Sequence, residues 1–301
     1  MKFIKDNSIA LILFLLLVLL ATYFFAACKI RTYYENMIVN PTTENACAVI
    51  LKYEKNELCT KMLENSGKTI DTLTVFSQVN AEKGLGIYYS IAPLIIILAG
   101  IYQINKEFRS LHVKNYVTRN QYKEYIKKVL LNSYKNAWIL PAFALYMFLW
   151  SYYISGHFNY SYTELMGFST FPVQFLKIPF LFMFLFMLNM FFISIFYISI
   201  GLLVVKHNKS VITSTIEGGL IFYGLAIINT FIMEAQIYPK LFKISNVGNL
   251  DFLDIYTYSD KTSLLAFTLF CFCLSALSVI LVKLSYKNKE KNIILLEKIS
   301  G

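Results

Sequence analysis

Six stretches of this chain are apolar almost without interruption, and polar segments of very unequal length separate them. The stretches are 9–28, 86–104, 137–154, 178–205, 211–233 and 263–282. A run of about 20 apolar residues is what an α-helix needs to cross a hydrocarbon core of ~30 Å. The pattern therefore predicts an all-α integral membrane protein with six transmembrane helices. The run 178–205 is longer than one upright helix requires, so it tilts, or its start near 171–179 lies in the interface. Lys2 and Lys5 precede the first run in the manner of a signal peptide. That run is longer than the usual apolar region of ~7–15 residues and no small-residue cleavage site follows. It reads as a retained helix and signal anchor.

Composition agrees with this pattern. The chain is 57% hydrophobic and only 15% charged, against about 25% charged in soluble domains. A soluble fold would lack the polar residues to cover its own surface.

Charge then orients the helices. The segments 1–8, 105–136, 206–210 and 283–301 carry 17 basic and 5 acidic residues, whereas 29–85, 155–177 and 234–262 carry 11 basic and 12 acidic. Lys and Arg collect on the cytoplasmic side of membrane helices. Both termini are thus expected in the cytoplasm, with a large extracellular loop at 29–85 between the first two spans. The basic excess reflects topology and contact with anionic lipid; no nucleic-acid-binding pattern accompanies it.

The segment 105–136 is the basic stretch between the second and third spans. From Arg119 onward its apolar residues fall at Tyr122, Tyr125, Ile126, Val129 and Leu130, with Lys123, Glu124, Lys127 and Lys128 between them. Steps of three and four predict one stripe of an amphipathic helix. Such a helix lies along the inner membrane surface, either as a basic linker on lipid head groups or as a contact for a partner.

The stretch EFRSLHVKNYVTRNQYKEYIKKVL resembles the cytoplasmic segment of ABC transporter permeases of the second type. Glu107, Arg109, Arg119, Tyr122 and Lys128 stand at positions matching that family's acidic, basic and aromatic residues. Leu111 and His112 replace the Gly-Thr pair usual in the family. The six-span layout with inside termini also matches, over about residues 5–285. The resemblance implies the transmembrane permease subunit of a bacterial exporter, in the plasma membrane, with ATP and Mg bound by a separate soluble ATPase present in two copies. It implies a second permease chain, the same or related. It makes the segment an ATPase-coupling element, with Phe108 and Leu111 as apolar anchors. Arg109, Arg119 and Lys123 would supply salt bridges to the ATPase, and Glu107 would pair inside the permease with Arg119 or Lys128. The expected substrate is amphipathic or hydrophobic, a peptide such as a bacteriocin or toxin, a lipid or a drug. The competing reading is a non-transporting membrane sensor or assembly protein whose outer loop binds a ligand or partner.

Chemistry-bearing motifs are sparse. The chain has no G-x-x-x-x-G-K-[ST] phosphate loop, no G-x-S-x-G and no C-x-x-C. His112, His157 and His207 lie on three separate segments, so no metal centre, no cofactor and no catalytic residue is expected in this chain. Cys47 and Cys59 share the extracellular loop; an oxidising exterior favours a disulfide, and the other reading is two free thiols. Glu217 and Asn189 are polar residues inside predicted spans. Glu217 is close enough to a helix start to reach the interface or Lys209, and Asn189 is suited to an interhelix hydrogen bond.

Overall fold

The computed structural model describes residues 8–27, 49, 52, 53, 72, 76, 86–109, 122–155, 179–208, 210–229 and 264–288. All are helical or in short turns, and no strand occurs among the described residues. Among the described residues the longer helices are, in order, α1 (Ser8–Ala27), α2 (Gly86–Arg109), α3 (Tyr122–Tyr134), α4 (Ile139–Ser155), α5 (Pro179–Val205), α6 (Val211–Ile228) and α7 (Leu264–Lys287). A 3-10 turn, Lys135–Trp138, joins α3 to α4. The six long helices fall on the six apolar runs. The helical segments Met183–Val205, Val211–Ile228 and Thr268–Lys287 are long and apolar enough to cross a membrane, and Ser8–Tyr23 is a shorter apolar helix. These helices mark a membrane protein.

Helix ends depart from the apolar runs in an informative way. α2 continues past residue 104 through Arg109, and α7 continues past 282 through Lys287. Lys106, Glu107, Lys283 and Lys287 therefore sit on rigid helix rather than in connecting segments. α6 begins with Ser210 as its cap, in an extended conformation, the Ser210 hydroxyl accepting the Ile212 N–H at 3.2 Å. That bond satisfies one of the free amides at the helix start.

α5 is the centre of the bundle and packs against α2, α4, α6 and α7. In its membrane-crossing window 72% of residues are buried, against 33% for α6 and 28% for α7, so α6 and α7 present most of their surface outward. Small residues allow the closest approaches. A Cβ on Gly100 would stand 2.7 Å from Ile198, and one on Gly201 would stand 2.6 Å from Ile101. Gly218 of α6 meets Ile97 and the Gly201 backbone at the same level. Without a hydrophobic drive between helices in lipid, such backbone proximity is a main source of association.

Pairwise contacts fix the helix directions. Phe14 meets Trp138 at 5.2 Å and Thr22 meets Tyr146 at 2.5 Å, so α1 and α4 run parallel. Phe192 meets Phe272 at 5.4 Å and Tyr286 bonds to Leu202, so α5 and α7 run parallel. Gly218 lies by Gly201 and Phe222 by Tyr197, so α6 runs against α5. The C-terminal ends of α2, α5 and α7, the start of α6 and the whole of α3 consequently share one end of the bundle.

Polar side chains inside the bundle mostly bond within their own helix. Ser151, Ser194, Ser214 and Thr215 each donate to the carbonyl four residues back, at 2.8–2.9 Å. The short hydroxyl satisfies itself locally. An exception is Tyr146, whose hydroxyl takes the Trp150 indole N–H at 2.5 Å and shares a hydrogen bond with Thr22 of α1.

Candidate functional site

The amphipathic pattern of α3 is realised as a buried face. Tyr122, Tyr125, Ile126, Val129, Leu130 and Ser133 are buried, whereas Lys123, Glu124, Lys127 and Lys128 are exposed. The apolar stripe rests on the protein itself, against α2, α5 and the 3-10 turn, rather than on lipid or a partner. What α3 offers outward is its charged side.

Hydrogen bonds join α3 to the ends of three long helices. Tyr125 donates its phenol to Glu107 Oε2 of α2 at 2.8 Å, and Gln103 donates to Oε1 of the same carboxylate at 3.0 Å. Tyr122 donates to the backbone carbonyl of Tyr286 in α7 at 3.2 Å. Tyr286 in turn donates to the carbonyl of Leu202 in α5 at 2.7 Å. Both carbonyls belong to the last turn of their helices, where carbonyls begin to run out of helical amide donors. Two tyrosine hydroxyls thus act as long-range C-caps in series, from α3 to α7 and from α7 to α5.

Lys206, just beyond α5, completes this end. Its ammonium donates to Ser285 Oγ and lies 5.6 Å from the centre of the Tyr286 ring. A cation here also complements the negative end of the α5 dipole. At the other end of α3, the Tyr134 and Ser199 hydroxyls are 2.9 Å apart. Burial pushes the Tyr134 phenol up to about 12, partly offset by the Ser199 hydrogen bond. Asn136 in the turn donates to the Ala99 carbonyl of α2 at 2.8 Å. α3 and its turn are therefore fastened to α2, α5 and α7 together.

The residues singled out by sequence divide into three groups. Glu107 and Tyr122 both take part in the fastening just described, through different partners, with Tyr122 buried and Glu107 half-buried. Lys123 and Lys128 stand on the exposed side of α3. Phe108 and Arg109 close α2, but their side chains lie outside the described residues, as do Leu111, Arg119, Cys47, Cys59 and Lys209. Glu217 is exposed on α6, where Asn208 donates its amide to Oε2. Asn189 is fully buried on α5. Among the described residues no group of three His, Cys, Asp or Glu side chains converges.

Two contributors escape a reading of the apolar runs. Tyr286 lies past the last run, among lysines. Yet the buried positions of α7, Cys271, Ser275, Ser278, Val282 and Tyr286, keep steps of three and four, and that spacing is the signal that carries the helix to Tyr286. The other is Phe76, from the 29–85 segment. It is 0% exposed, with its ring 5.7 Å from those of Phe148 in α4 and Phe186 in α5. No family model, no curated protein and no solved structure matches the chain.

Proposed function

We propose that the chain is the six-span permease subunit of an ATP-driven exporter, with both termini in the cytoplasm of a bacterial cell. ATP and Mg are bound by a separate soluble ATPase in two copies, and a second permease chain completes the assembly. The observation that carries this reading is the fastening of α3. Its tyrosines and buried stripe tie it to the ends of α2, α5 and α7, while Lys123, Glu124, Lys127 and Lys128 face away. A push on that charged face reaches three long helices through hydrogen bonds and packing. Charged faces of this kind set partner choice and association rate.

The substrate class follows from the helix surfaces. α5 is rich in Phe and Met, with Phe184 and Phe191 turned outward and Met183, Phe186 and Met190 inward. Such surfaces suit an amphipathic peptide, a lipid or an apolar drug better than a sugar or an ion.

The test is co-purification. Lys123→Glu, Lys127→Glu and Lys128→Glu combined leave the buried face untouched. The triple variant is expected to lose the bound ATPase at least tenfold while keeping the thermal stability of the parent. Undiminished ATPase binding by that variant would overturn the coupling role. A cysteine replacing Lys127 is expected to stay unlabelled by an impermeant maleimide on intact cells; labelling there would refute the topology.

A further inference from the structure

The outward face of α7 changes character where the helix outruns its apolar stretch, at the end of the bundle that α3 occupies. At about 100° per residue, Leu277, Leu281 and Leu284 lie about 160–220° round the helix from the buried Tyr286. These leucines are 60%, 56% and 60% exposed. Lys283 and Lys287, both exposed, border that strip on one side, at about 60–100°. Ser285 borders it on the other side, at about 260°, and accepts from the Lys206 ammonium. Neither α5 nor α7 contains an Asp or Glu to neutralise these charges. In the membrane-crossing part of α7 only 28% of residues are buried, so the leucine strip meets acyl chains.

We propose that this end of α7 seats an anionic phospholipid, with its phosphate between Lys283 and Lys287 and an acyl chain along Leu277, Leu281 and Leu284. Residues four apart on a helix hold their Cβ atoms about 5–6 Å from each other, so both ammonium groups reach one phosphate. α7 is continuous through Lys287, and the two lysines therefore keep that spacing before any lipid arrives. Lys206 closes the opposite border of the strip with a third positive charge. Basic residues beside a membrane surface each add attraction for anionic lipid. The leucine strip decides between sources of phosphate. A free anion would leave the strip uncovered, whereas a lipid covers strip and cations together, and binding of that kind grows with both apolar area and charge. As an inner-leaflet contact the seat rests on the proposed topology; as a seat for anionic lipid it does not.

Quenching of tryptophan fluorescence by brominated lipid tests the seat in the full chain, reconstituted without any ATPase. Leu277→Trp places a reporter about 9 Å along the helix from Lys283, beside the middle of an acyl chain seated there. The signal of the parent's own Trp138 and Trp150, measured in the same bilayers, is subtracted. Dibrominated phosphatidylglycerol is expected to be preferred over dibrominated phosphatidylcholine about threefold at this reporter. Lys283→Gln with Lys287→Gln is expected to abolish the preference, and the corresponding pair of arginine substitutions to keep it. Leu220→Trp reports on α6, where Leu220 is 67% exposed one turn from Glu217, and no preference is expected there. Added sodium chloride is expected to weaken the preference by screening, and inorganic phosphate at the same ionic strength to do no more. Equal quenching by the two lipids, a preference that survives the glutamine pair, or the same preference at Leu220→Trp would overturn the proposal. Displacement by inorganic phosphate beyond its ionic strength would overturn it in favour of a free anion. If the export reading fails, through undiminished ATPase binding by the charge-reversed α3, the lipid preference is expected to stand.

Discussion

The Tyr122 phenol donates to the backbone carbonyl of Tyr286 at 3.2 Å, across 164 positions of sequence. The Tyr286 phenol passes the same kind of bond on to Leu202 at 2.7 Å. The two bonds separate experimentally. Tyr122→Phe removes the tie between α3 and α7 and is expected to cost about 0.5–1.5 kcal/mol, the net worth of an ordinary hydrogen bond. Tyr286→Phe leaves the carbonyl that Tyr122 uses and deprives Leu202 of a buried donor, at about 1–3 kcal/mol. Hydrogen exchange distinguishes them. Amides of α3 are expected to exchange faster in Tyr122→Phe, and those at the end of α5 in Tyr286→Phe. Uniform exchange in both would show that the serial capping has no mechanical consequence.

Close helix approach at Gly201 gives a sharp contrast with Gly224. A Cβ at Gly201 meets Ile101 at 2.6 Å and Ile97 at 2.9 Å, both β-branched and hard to move, whereas one at Gly224 meets nothing within 4 Å. Gly201→Ala is expected to destabilise by about 1–3 kcal/mol through overpacking. Gly224→Ala is expected to be neutral or to stabilise by up to about 1 kcal/mol, from helix propensity. Thermal unfolding in one detergent checks both, and equal midpoints for the two variants would contradict the packing of α2 on α5.

Tyr134 supplies a pH signature. Its folded pKa of about 12 lies above the ordinary phenol value of about 10. Below pH 10 the phenol is neutral whether the chain is folded or not, and its contribution to stability is whole. Between about 10 and about 12 the unfolded chain ionises while the folded one resists, so stability falls as pH rises through that window. Tyr134→Phe is expected to flatten this part of the stability–pH curve. Difference absorbance near 295 nm is expected to show one fewer late-ionising tyrosine.

The helices were legible from the sequence because their cause is local. An unbroken apolar run satisfies its own backbone as a helix and needs no partner to become one, and the runs at 9–28 and 178–205 show it plainly. The stripe of α3 was legible for the same reason: the three-and-four spacing from Tyr122 to Leu130 fixes which face is apolar. What that face touches was not legible. A basic amphipathic helix beside a membrane suits lipid, a partner or its own bundle equally well by pattern. Burial of Tyr122 and Tyr125 against α7 and α2 depends on α2 and α7 each outrunning its apolar stretch. Helix ends that carry Lys and Glu have no hydropathy signal to mark them.

By itself, then, the order of residues determined a helical membrane protein, the number and extent of its apolar runs, and the two-sided character of α3, since all of these follow from hydropathy and period within one segment. Only the folded chain decided that two tyrosine hydroxyls cap helices far along the sequence, that Gly100 and Gly201 set how closely α2 and α5 approach, and that Phe76 enters the bundle between Phe148 and Phe186. Those are meetings of residues from 72 to 164 positions apart for the aromatic contacts and the α3 tie. Their partners are chosen by which faces remain to be filled once the helices pack, and no single segment carries that information.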